Sequence, residues 1–139
     1  MVNPSLILKK VVFIRDHIER VRAQKDCTLD EFLGDRNRQD IVCFNLMQAI
    51  QACADLANHL VSDQGWGIPG SYGETVEILV REKVINEQQG ETYRQMVAFR
   101  NRIAHRYAET DFKEVYEIMT TQLGGLDDFV EAIITYCHL

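Results

Sequence analysis

Apolar residues recur every three or four positions over most of this chain, and its two prolines, Pro4 and Pro69, fall outside the long periodic runs. Proline lacks an amide donor and clashes with the turn before it, so a run without it is free to continue as helix. Asn3 can cap a first helix with Pro4 at its first position. Ile7, Val11, Ile14, Ile18 and Val21 then make one apolar stripe, leaving Lys9, Lys10, Arg15, Asp16 and Glu19 for the other faces.

The same signals continue along the chain. Thr28 with Glu31 reads as a capping box opening a short helical turn, and Gly34-Asp35 ends it. A long helix is expected from about Arg36 to Leu60, with Ile41, Phe44, Ile50, Leu56 and Leu60 as its larger apolar residues and four alanines that permit close approach. Residues 62–70, with three glycines and a proline, read as loop. Ser71 with Glu74 restarts a short helix through about Lys83, and Asn86 with Gln89 caps the next, which carries Tyr93, Met96, Val97, Arg100, Ile103 and Ala104. Asp111 with Glu114 makes another box before a last helical stretch, which Gly124-Gly125 is expected to kink or split. The expectation is an all-α fold: one domain over 1–139, an antiparallel four-helix bundle with short additional helices.

Composition narrows the function. A hydrophobic fraction of 46% supplies a core, and 26% charged residues keep the surface wet. A formal net charge of −6 argues against nucleic-acid binding by bulk attraction, while leaving room for a local basic cleft. The opening Met1-Val2-Asn3-Pro4 does not read as a secretory signal, and no apolar run is long enough to span a bilayer. Cys27, Cys43, Cys53 and Cys137 form no Cys-x-x-Cys pair, so reduced thiols and a cytoplasmic location are expected. No two histidines have the spacing of a helical metal site, and no phosphate-binding loop motif occurs. Neither a metal nor a cofactor is expected.

Against this acidic background, residues 100–107 pack Arg100, Arg102, His105, Arg106 and Tyr107 into eight positions at the end of a helix, where positive side chains suit the dipole. A histidine can exchange a proton near neutral pH. Arginine can hold phosphate oxygens in a planar fork and offset charge that develops in a transition state. Positions five apart lie about 140° apart around a helix, so Arg100 and His105 converge only if the helix ends near Ala104 or if two subunits build the site. Arg102 and Arg106, one turn apart, form a positive ridge. Each residue also has a plainer role: His105 as a helix terminus, Arg100 as a carboxylate partner, Tyr107 as a rim aromatic, Arg102 and Arg106 as steering charges.

One reaction suits the set. In RNA a ribose 2′-hydroxyl can attack the adjoining phosphate, with His105 moving the proton and Arg100 stabilising the phosphorane-like oxygens; such chemistry needs no metal and needs RNA rather than DNA. A single motif histidine per chain implies a relay through water or two histidines facing each other across a dimer.

At these residues the chain resembles a known group. Arg100-Asn101-Arg102-Ile103-Ala104-His105-Arg106-Tyr107 matches the Arg-x4-His-x-Tyr signature of the HEPN superfamily, and of its HepT-like toxins in particular. The resemblance extends to length, helix order, Asp35-Arg36 opening the second long helix, and Tyr72-Gly73-Glu74 after the glycine-rich loop. It implies an all-helical homodimer whose cleft is lined by Arg100 and His105 of both subunits, acting as a metal-independent ribonuclease toxin. It also implies a partner, a minimal nucleotidyltransferase antitoxin that uses ATP to attach AMP to the tyrosine matching Tyr107. Bulk and negative charge there would exclude RNA.

The remaining features stay open. Asp35 caps a helix with Arg36 in solvent, or the pair shapes the cleft. Tyr72 and Glu74 build a wall of the site or only start a helix, and Glu74 can instead hold Arg100 or meet the partner. His17, His59 and His138 read as structural or surface residues, Cys43 and Cys53 as small core residues, and Trp66 as a pin for its loop. The rival reading of the whole chain is a non-catalytic helical partner or nucleotide-binding module of a nucleotidyltransferase complex, which RNA-cleavage assays on the arginine and histidine variants would separate from the first.

Overall fold

The computed structural model describes residues 3–139. Met1 and Val2, the first part of the opening read above for a secretory signal, lie outside the described residues. Helix α1 spans Pro4–Arg22, α2 Leu29–Leu33, α3 Arg36–Asp63, α4 Tyr72–Arg81 and α5 Glu87–Arg106. A 3₁₀ turn follows at Tyr107–Glu109, then α6 at Phe112–Glu117, a π-helical turn at Ile118–Gln122 and α7 at Leu123–Tyr136. The four long helices α1, α3, α5 and α7 form the bundle, with α3 at its centre touching α1, α4, α5 and α7. Among the described residues there is no strand, and no helix is long and apolar enough to cross a membrane.

The caps form as the side chains dictate. Asn3 accepts from the amides of Ser5 and Leu6, with Pro4 in the first turn. Thr28 with Glu31, and Asn86 with Gln89, make complete reciprocal boxes. Ser71 and Asp111 make half of one each, because the carboxylates that would close them are engaged elsewhere: Glu74 accepts from the Gly70 amide and Glu114 from Arg102. The whole α1 stripe, Ile7 to Val21, is buried. Each such side chain contributes about 1.5–3 kcal/mol by leaving water. That exceeds an exposed ion pair on the same helix, at about 0–1 kcal/mol.

One expectation is corrected. The last helical stretch does not break at Gly124-Gly125, which lie in the first turn of α7. The irregularity precedes them, where the Thr120 and Thr121 hydroxyls bond back to the Tyr116 and Glu117 carbonyls and the ladder widens to a π turn. In α3, Ile50, Leu56 and Leu60 are buried, but Ile41 and Phe44 are 42% and 59% exposed.

The start of α3 is held on several sides. Asp35 accepts from the Arg38 amide, and Arg38 reaches the Gln24 carbonyl at 2.8 Å. The buried Gln39 amide donates to the carbonyls of Phe32 and Leu33 at 2.9 and 3.1 Å. These contacts fix the first turns of α3 beside the end of α5. His17, read as structural, stacks on Phe13 and lies 2.8 Å from its carbonyl oxygen through Nδ1. Cys43 and Cys53 are buried, all four thiols are free, and Trp66 packs edge-on against Tyr136, which fastens its loop to α7.

Candidate active site at the end of helix α5

Helix α5 does not stop near Ala104; it runs on through Arg106 before the 3₁₀ turn. That removes one of the two ways in which Arg100 and His105 could meet, since on a continuous helix they point about 140° apart. Arg100 faces α4: its guanidinium carbon lies 5.8 Å from the centre of the Tyr72 ring, and its Nε is buried with no hydrogen-bond partner. Among the described residues no carboxylate pairs with it. Tyr72, half-buried, is held in turn by a contact of 3.5 Å between its hydroxyl and the Gln51 amide.

His105 faces the other way, into an open cavity of about 690 Å³ between the end of α5 and the segment from Glu109 to Glu114. Asn101, Arg102 and Arg106 line the same cavity, and Arg100 does not. Arg102 is pinned by Glu114 at 2.6 Å over the Phe99 ring, while Arg106 is widely exposed, with Glu109 4.0 Å away. The cavity thus offers one exposed cation, one anchored cation and a solvent-reachable imidazole. Among the described residues no group of three or more His, Cys, Asp and Glu side chains is placed to hold a metal ion.

Tyr107 opens the 3₁₀ turn after α5, where the backbone of Arg106 has already left helical angles. Its ring packs edge-on against Phe112, and its hydroxyl donates to the Asp40 carboxylate on α3. Burial pushes this phenol above its ordinary pKa, and the hydrogen bond to Asp40 adds to the effect; the Arg36 charge acts in the opposite direction. Arg36 is therefore near the site although exposed. Asp35 caps α3, and the backbone amide of Arg38 holds its carboxyl below the usual range. Glu74 does not hold Arg100; it is spent on the Gly70 amide.

Sequence reasoning overlooked Asp40, because its partner stands 67 residues away. The one available signal was that a partly buried phenol needs an acceptor. It also placed Phe44 and Ile41 only by type. Phe44 follows Asp40 by one turn of α3, and both it and Ile41 are exposed.

Residues 14–133 match the family model described as Ribonuclease HepT-like. The chain belongs to the HepT-like family. The mRNA nuclease HepT of Shewanella oneidensis is 29% identical over 129 residues, covering 93% of this chain and 96% of the relative. In structure, this HepT-like chain is similar to a Shewanella oneidensis HEPN toxin, tri-AMPylated and in complex with an MNT antitoxin. The TM-score is 0.87 at 28% identity, covering 96% of this chain and 99% of the other. A chain from a toxin–antitoxin crystal structure with AMP-PNP gives 0.85, also at 28% identity, with 95% and 99% covered. The expected all-α, HEPN-like bundle is the fold of this HepT-like protein.

Proposed function

We propose that this HepT-like protein is a metal-independent endoribonuclease, the toxin of a toxin–antitoxin pair, and that its cleft is completed by a second copy of the chain. The observation that carries the reading is an Arg100 without a carboxylate partner on the same helix end as a solvent-reachable His105. A buried, unmatched guanidinium N–H is costly unless an acceptor arrives, and a phosphate brings acceptors. Because α5 turns the two side chains about 140° apart, each would act with the corresponding group of the other protomer. The exposed Ile41 and Phe44, on the helix that carries Asp40, supply an apolar surface for that second copy.

In the reaction the ribose 2′-hydroxyl attacks the adjacent phosphate. His105 accepts or returns the proton, Arg100 offsets charge on the equatorial oxygens, and the 5′-oxygen leaves. The products are a 2′,3′-cyclic phosphate and a 5′-hydroxyl. Arg106 steers the strand by its exposed charge, and Arg102, fixed by Glu114, gives the backbone a second cationic contact. Asp35, Arg36 and Tyr72 support the cleft from behind, and Glu74 holds the loop that precedes Tyr72.

The partner that neutralises it is a minimal nucleotidyltransferase, which transfers AMP from ATP to Tyr107. The AMPylated relative bound to its antitoxin supports this, as does the exposure of Tyr107 directly after α5. The deciding experiment incubates purified protein with RNA in EDTA. Wild type should give fragments with cyclic-phosphate ends, and His105→Ala should lose cleavage by about 10²-fold or more while keeping its helical circular dichroism. Cleavage that appears only on adding a divalent metal, or that survives in His105→Ala, removes the mechanism.

A further inference from the structure

The Tyr107 hydroxyl donates to the carboxylate of Asp40. No cation among the described residues forms an ion pair with that carboxylate, although Arg36 stands one turn before it on α3. The contacts at the start of α3 keep Asp40 fixed while the end of α5 brings the phenol to it.

A phenol that attacks phosphorus must give up its proton as the new bond forms. Tyr107 does not do so readily by itself, because burial and the neighbouring carboxylate both favour its neutral form. A base in contact with the oxygen meets that need, and a carboxylate already accepting the proton's hydrogen bond satisfies the geometric requirement. We infer that Asp40 is a catalytic residue of the modification: it receives the Tyr107 proton when the phenol takes AMP from a nucleoside triphosphate. This rests on the reading that Tyr107 is the modified residue.

The step balances without further reagents. The phenol oxygen forms a bond to the α-phosphorus of ATP, the bond from that phosphorus to the bridging oxygen breaks, and pyrophosphate leaves with the electron pair. The proton passes to the Asp40 carboxylate and from there to water. The toxin therefore brings its own base to the reaction, and the partner need only bind the nucleotide and support the leaving group. Once AMP is attached, the phenol oxygen has no proton to donate, and a negative phosphodiester stands beside Asp40. The bond that joined α5 to α3 is then replaced by repulsion.

Asp40→Asn isolates the claim, because the amide oxygen still accepts from the phenol but is a far weaker base. The full-length protein, its cognate nucleotidyltransferase, ATP and magnesium are combined, and the initial rate of AMP addition to Tyr107 is read by intact mass and peptide mapping. Asp40→Asn should slow the first addition about 10²-fold, Asp40→Glu should recover part of it, and Tyr107→Phe should accept none. The deficit of Asp40→Asn should narrow as pH rises, since hydroxide replaces the lost base. The charged and titratable groups acting on the phenol are Asp40, Cys43 and Arg36 on α3, and the neutral Phe112 ring meets it from α6. Burial holds the Cys43 thiol up at about 12, which leaves the carboxylate in contact with the phenol as the group placed to take its proton. Addition to Asp40→Asn within twofold of wild type overturns the assignment and leaves Tyr107 as the target. A deficit equal at every pH also overturns it, since it would mark a contact with the partner. No AMP on wild-type Tyr107, with the partner shown to be active, overturns the modification reading and this inference together.

Discussion

The Arg100 guanidinium rests over the face of Tyr72, 5.8 Å from the ring centre, so a residue on α4 sets where the cation of α5 points. The contact is electrostatic as well as steric, because the ring face carries negative potential. It also leaves the hydrogen-bonding edge of the guanidinium without a carboxylate to satisfy it.

Tyr72→Phe keeps the ring and should cleave RNA within about threefold of wild type, since a cation–π contact of about 0.5–2 kcal/mol is retained. Tyr72→Leu removes the ring face and should cost about tenfold, the equivalent of roughly 1.4 kcal/mol of Arg100 placement. The comparison is made as kcat/KM on one RNA at fixed salt. Equal rates for the two variants would show that Tyr72 does not position Arg100.

Phe44→Glu tests the second copy. Phe44 is 59% exposed in the single chain, so a glutamate there has little effect on folding: a change of at most about 0.5 kcal/mol is expected for a surface substitution. In an apolar interface it would bury an unpaired charge. The variant should therefore run as a monomer in light scattering, melt close to wild type and lose RNA cleavage. A dimer that survives the change would move the interface elsewhere on the molecule.

Mixed variants test whether the site crosses that interface. Arg100→Ala and His105→Ala chains are each expected to be inactive. Refolded together at equal amounts, about half the dimers are mixed, and each mixed dimer carries one complete Arg–His pair drawn from two chains, giving about a quarter of wild-type activity. No recovery in proven mixed dimers would place both groups of each site on one protomer.

What the sequence made legible were features fixed by near neighbours. The α1 stripe and the Thr28 and Asn86 caps depend on spacings of three and four residues, and all are found as expected. Features fixed by distant neighbours were hidden. The half-boxes at Ser71 and Asp111 follow from Glu74 and Glu114 finding other partners, one of them Arg102 on α5. Ile41 and Phe44 look like core residues by type, and only the phase of α3 against its neighbours turns them outward. At the site, residue types and the helix end were readable from the motif. The Asp40 acceptor was not, because no local pattern links α3 to the residue after α5. Whether α5 ended at Ala104 or ran on was equally closed to spacing alone, and this decides whether one chain can assemble the pair.

Of the two adjacent glycines that suggested a helix break, Gly125 marks a close approach and Gly124 does not, so they should respond oppositely to alanine. A methyl group built on Gly125 would lie 2.7 Å from the Thr92 γ-carbon of α5, while one on Gly124 meets nothing within 4 Å. Threonine is stiff about its first side-chain bond, so relief at Gly125 requires α7 and α5 to move apart. Gly125→Ala should then cost about 1–3 kcal/mol, the usual range for overpacking. Gly124→Ala lies in helix and only restricts the unfolded chain, so it should stabilise by about 0.5–1 kcal/mol. Urea unfolding of the two variants gives the comparison. Because the affected helix is α5, Gly125→Ala should also lower RNA cleavage through displacement of Arg100 and His105, whereas Gly124→Ala should leave it unchanged. Equal stability of the two would mean that Thr92 yields without moving α5, and that the spacing of these helices is not what sets the site.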